Sequence, residues 1–105
     1  MKLLTQALRK KLPPLYSQEQ VEDPMVMCKF FTPDSNWTWY AYEFDGEDQF
    51  FGLIYGLETE LGYFSLHELE AARGPLGLPI ERDLHFTPKT LSAVRKEHAE
   101  QHGNL

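Results

Sequence analysis

Two turn sequences divide the middle of this chain and constrain it more than any other feature. Pro33-Asp34-Ser35-Asn36 pairs a proline that presets φ with three side chains able to bond their own backbone. Asp45-Gly46-Glu47-Asp48 carries the Asp-Gly signal of a hairpin tip. Around them lie three runs rich in apolar, aromatic and β-branched residues, at 25–32, 37–44 and 49–55. Runs of this kind separated by tight turns predict an antiparallel meander, and residues 60–64 offer a short fourth strand. Alternation puts Trp37, Trp39 and Ala41 on one face of the second run, with Thr38, Tyr40, Tyr42 and Phe44 on the other. The third run sets Phe51, Leu53 and Tyr55 against Phe50 and Ile54. Both faces are apolar, which predicts a sheet covered on both sides, or covered on one and used for contact on the other.

Helical spacing appears at both ends. Leu3, Leu4, Ala7 and Leu8 predict a helix over residues 2–11, stopped by Pro13-Pro14. Ser65-Leu66-His67-Glu68 fits a capping box, predicting a helix over 66–73 that ends at Gly74-Pro75. Residues 80–86 read as extended, and Thr87-Pro88 predicts the start of a last helix ended by Gly103. The expectation is one α+β domain over residues 1–105. Its three- to four-stranded antiparallel meander packs with N-terminal, central and C-terminal helices.

With 105 residues and an aromatic share of 13%, such a domain has the bulk to build a core. A multidomain enzyme is not expected at this length, nor a disordered chain at 42% apolar content. The single cysteine, Cys28, excludes a disulfide scaffold and reads as a small buried hydrophobe. No apolar run approaches bilayer-spanning length, so no membrane association is expected. Lys2-Leu3-Leu4 followed by Thr5, Gln6 and a basic cluster is too polar for a secretory segment, which makes a cytoplasmic location the expectation.

Net charge is -6, and its distribution says more than its total. Residues 19–70 hold twelve of the sixteen acids and one base, Lys29, whereas residues 1–18 hold only bases. A central block this acidic repels phosphate, arguing against direct nucleic-acid binding, and attracts a basic surface. The competing interpretation is a solvated face that keeps the protein soluble.

Several stretches are specific enough to carry a resemblance: residues 32–40 (TPDSNWTWY), 60–64 (ELGYF) and 77–83 (GLPIERD). With them the chain resembles a family of small bacterial domains of unknown function carried on plasmids, phages and conjugative elements. The resemblance implies a mobile-element accessory protein and supplies no catalytic set or cofactor.

Four groups of residues are candidates for function. Extended geometry over 80–86 would place Arg82 on one face with Ile80, Leu84 and Phe86, where a guanidinium needs a carboxylate or carbonyl partner. Arg82 and Asp83 are therefore a structural ion pair or an anion site, with Asp34, Glu58 or Glu60 as candidate partners. Trp37 and Trp39, beside Asp34 and Asn36, are core residues or a contact hot spot. Glu43, Asp45, Glu47, Asp48, Glu58 and Glu60 form either a solvated edge or an acidic docking surface. His98 and His102 share a helix face, but they do not form the zinc-protease pattern and sit at a chain end.

The leading expectation is a non-enzymatic accessory protein with no cofactor and no metal. Its acidic surface (Asp34, Asn36, Trp37, Glu43, Asp45, Glu47, Asp48, Glu58, Glu60) docks a basic protein that handles nucleic acid, in the concrete version by DNA mimicry against host defence. One rival is a metal-dependent hydrolase or nuclease using Asp34, Glu60, Arg82 and Asp83. The other is a homodimer formed through the second apolar sheet face.

Overall fold

A computed structural model describes residues 2–103. The order is α1 (Gln6–Lys11), β1 (Met25–Val26), β2 (Cys28–Phe31), β3 (Thr38–Phe44), β4 (Gln49–Tyr55), β5 (Thr59–Ser65), α2 (Leu66–Ala71), β6 (Glu81–Arg82), β7 (Lys89–Thr90) and α3 (Leu91–His102). The α+β class and the antiparallel pairing are as the turn signals predict. The strand count is larger. β2 to β5 do form a meander, but β6 adds to the outer edge of β2, giving a five-stranded sheet in the order β5-β4-β3-β2-β6. The run at 25–32 also breaks at Met27, which frees β1 to pair with β7 in a separate two-stranded sheet.

That second pairing moves the last helix. Residues 89–90 are held in the β1–β7 ladder, so the helix starts at Leu91 with the Thr90 hydroxyl accepting from the Ala93 N–H. Thr87-Pro88 lies before it as a loop. The extended run predicted at 80–86 shortens for a related reason. Its pairing with β2 ends at Arg82, and Asp83 turns the chain by accepting the His85 N–H. Leu84, expected on an inner face, is therefore exposed. At the N-terminus Thr5 caps a helix that begins at Gln6, and Leu3 and Leu4 precede it as buried anchors.

Two buried clusters lie on the two faces of the large sheet. One gathers Phe30, Ala41, Phe44, Phe50, Ile54 and Phe64 with Leu66 and Leu69 of α2 and the leucines near α1. The other joins Tyr40, Tyr42 and Leu53 to Val26 and to Val94 of α3. The middle of the sheet is therefore covered on both sides by its own chain. The face that the homodimer reading reserves for a second copy carries α3.

Simple alternation placed Phe44 with Tyr40 and Tyr42, and the structure places it on the opposite face. The cause is a β-bulge between Ala41 and Glu43, where β3 carries one residue more than β4. Gly52, opposite Ala41, is required there: a Cβ would lie 1.8 Å from the Tyr40 carbonyl oxygen. The shift brings Phe44 against Phe50, with centroids 4.6 Å apart, while Phe64 stacks on the same ring at 5.2 Å. Phe50 is fully buried between them. Phe50→Ala should cost about 3–5 kcal/mol, read as a lower urea midpoint with an unchanged slope.

Candidate functional site

Several acids of the central block hold backbone N–H groups of distant segments. Glu43 is buried, and its two carboxylate oxygens accept the backbone N–H groups of Tyr16 (2.9 Å) and Gln18 (2.8 Å). This anchors the loop after Pro13-Pro14 and holds Tyr16 at φ 71, a conformation rare outside glycine. Asp34 Oδ2 accepts the Leu76 N–H at 2.8 Å, tying the β2–β3 turn to the turn after α2. Gly74 is needed where they meet, since a Cβ would lie 1.6 Å from Asp34 Oδ1.

Asp45 and Asp48 organise the hairpin tip. Asp45 Oδ1 accepts the N–H groups of Glu47, Asp48 and Gln49. Desolvation raises its pKa, but these bonds together outweigh it and hold the carboxyl below its usual value. Asp48 accepts the Ser65 hydroxyl at 2.6 Å and the His67 N–H at 2.7 Å, both of which hold its pKa low. It thus fastens the hairpin to the start of α2, where Ser65 is the N-cap. Glu47 and Glu58 are exposed at separate loops.

Arg82 donates to the carbonyl oxygens of Lys2 and Leu3, both at 2.7 Å, so it secures the N-terminal segment to the sheet edge. The carbonyl option is met, and among the described residues Arg82 forms no ion pair with Asp34, Glu58 or Glu60. Asp83 instead faces Lys29, 3.7 Å away. The residues of the hydrolase reading are dispersed: Glu60 lies on β5 and Arg82 and Asp83 at β6, the opposite edges of the sheet. Among the described residues no group of three or more His, Cys, Asp or Glu side chains is placed to hold a metal ion. Cys28 is buried, and desolvation pushes its thiol up to about 12, as an inert core residue.

Trp37 and Glu60 are brought together. They line a groove of about 350 Å³ with Trp39, Ile54, Glu68 and Leu69, between the sheet and α2. The two indoles stack at 5.8 Å and 26°. Two glycines shape the groove. The Trp37 ring lies where a Cβ on Gly56 would fall, at 2.2 Å. Gly62, on the same face as Ile54 and Glu60, leaves the middle of β5 bare, and a Cβ there would approach Ile54 Cδ1 at 3.6 Å. Glu60 and Glu68 are exposed, and among the described residues neither forms an ion pair. Sequence reasoning missed Glu68 and Leu69, although the capping box and helical spacing place them one turn apart from β5.

Asn36 lines a different cavity, of about 590 Å³, with Tyr55, Thr59, His98 and His102. His98 is buried, its Nδ1 lies 2.9 Å from the Tyr40 hydroxyl, and its ring stacks on Tyr55 at 3.6 Å and on His102 at 4.1 Å. Desolvation first, then the nearby His102 and Lys29, lower its pKa from 6.5 to about 4. The unfolded chain binds this proton more tightly than the native state, so the stability tied to neutral His98 is complete above pH 6.5 and falls as pH drops toward 4. Denaturant unfolding at pH 7 and pH 5 should show this loss in the wild type. In His98→Gln the difference between the two pH values should shrink.

A family model described as a protein of unknown function, DUF2958, matches residues 3–105. No curated protein and no solved structure matches the chain. With nearly its full length aligned to that model, the chain belongs to the DUF2958 family.

Proposed function

We propose that this domain is a non-enzymatic docking module for a basic segment of a partner protein, held in the groove between β5 and α2. The observation that carries the reading is the stacked Trp37–Trp39 pair facing the same groove as Glu60 and Glu68. An indole face attracts a guanidinium or ammonium through its quadrupole, and a nearby carboxylate completes the charge. Ile54 and Leu69 add an apolar floor for the stem of an arginine or lysine. This narrows the broad acidic surface expected from the sequence to Glu60 and Glu68, the acids that share a groove with the tryptophans.

A protein that handles nucleic acid is the partner class whose surface best matches this chemistry. The resemblance to domains carried on plasmids, phages and conjugative elements adds a context in which masking such a surface blocks host defence by imitating DNA charge. Screening then limits the attraction to a Debye length of about 8 Å at physiological ionic strength.

The chain contains two tryptophans, both in the groove, so intrinsic emission reports directly on the site. A short arginine-containing peptide should change that emission saturably and bind more weakly as salt rises. The double variant Glu60→Gln/Glu68→Gln should bind about three- to tenfold more weakly, with unchanged circular dichroism. Emission indifferent to the peptide would refute the docking reading.

A further inference from the structure

β5 is an outer strand of the large sheet, and among the described strands only β4 pairs with it. It runs seven residues, Thr59–Ser65, in unbroken register with β4. Outer strands in monomeric proteins are usually blunted by charged side chains, proline, a bulge, short length or a covering helix or loop. The opposite edge, β6, is only two residues long and is tied down by Arg82. β5 is long, unbulged and free of lysine and proline; its sequence, TELGYFS, carries one charged side chain, Glu60, which faces the groove. It also exposes two large apolar side chains, Leu61 at 46% and Tyr63 at 48%.

The pleat sorts the β5 side chains between the faces. Glu60, Gly62 and Phe64 pair with Ile54, Gly52 and Phe50 and so point toward the groove face. Leu61 and Tyr63 pair with Leu53 and Phe51 and point to the other. A strand laid along this edge would continue the same alternation. Its residues on the groove side would reach over the bare Gly62 backbone toward Glu60 and the indoles. Its alternate residues would cover Leu61 and Tyr63.

We infer that the partner segment binds by adding a strand to β5, and that it alternates basic residues, facing the groove, with apolar residues, facing Leu61 and Tyr63. The inference rests on the docking reading above and deepens it from a site for a cationic side chain to a mode of recognition. Main-chain hydrogen bonds supply affinity in this mode, and alternate side chains supply specificity. Charge complementarity selects the occupant. A second copy of this chain would bring another β5 with its own Glu60 and no cation, on a protein of net charge -6. A basic strand meets unpaired carboxylates.

The test uses a peptide as long as β5 with alternating arginine and valine, and two backbone N-methylated forms of it. One form is methylated on the arginines and the other on the valines. In an added strand one set of N–H groups faces β5 and the other faces solvent. One methylated form should therefore bind at least about tenfold more weakly than the parent, and the other should match it. Tryptophan emission reads the affinity, and amide exchange along Thr59–Ser65 should slow only with peptides that bind. Equal binding by all three peptides would overturn strand addition while leaving the groove reading intact. No binding by the parent peptide would overturn both. Light scattering that finds a dimer at all concentrations, with the β5 amides protected before any peptide is added, would make a second copy the occupant and overturn the inference.

Discussion

Backbone N–H groups at turns and helix starts must find acceptors, and in this protein carboxylates supply them across long stretches of chain. Asp23 accepts both the N–H and the hydroxyl of Ser92 in the first turn of α3. Asp34 holds the turn beyond α2, Glu43 the loop after Pro13-Pro14, and Asp48 the start of α2. Each bond joins elements far apart in sequence, so the acids act as ties between the sheet and the segments wrapped around it. Charged acceptors suit the task, since a bond from an N–H to a carboxylate is stronger than one to a neutral oxygen. The low pKa values of Asp23 and Asp48, led in both cases by a serine hydroxyl, reflect the same contacts.

These ties change the meaning of the charge. A count of acids over residues 19–70 suggests an electronegative face, yet several of those acids point inward or along the backbone. Of the acids that remain exposed, Glu60 and Glu68 stand out because they line a groove with the Trp37–Trp39 pair. The site depends on absent side chains as much as on present ones. Gly56 admits the Trp37 ring, and Gly62 leaves the floor of the groove open to Ile54. The groove and the outer edge of β5 are contiguous.

The aromatic core explains why the edge can stay exposed without loss of order. β4 is an interior strand, with Phe50 and Leu53 fully buried on its opposite faces. α2 closes one face, and α3 closes the other through Val94 and His98. Lys29 is one cation at this second face, facing Asp83 and lying 5.6 Å from the Tyr40 ring centroid. The sheet is thereby held from both sides, and β5 projects from it as a supported strand.

The residues that announce themselves locally were legible in the sequence. The turn at 33–36, the Asp-Gly tip, the Ser65 cap and the Gly103 stop act within a few positions of themselves, so propensity and alternation suffice to place the strands β2 to β5 and the start of α2, which ends two residues before the expected stop. The displaced start of α3 and the short β6 were not legible, because each is decided by pairing with a strand fifty or more residues away. The same holds for the bulge that turns Phe44 to the other face, since only the partner strand reveals an extra residue. Among site residues, the sequence singled out Trp37 and Glu60 as chemistry-bearing types but could not join them to Glu68 and Leu69. It could not distinguish them from Glu43 or Asp48 either, since a carboxylate looks the same in sequence whether it faces solvent or a buried N–H. The sequence alone determined the class of the fold and the excess of negative charge, both sums of local or additive properties. Only the tertiary structure decided which carboxylates stay free to meet another molecule, because that depends on which distant backbone donors reach them first.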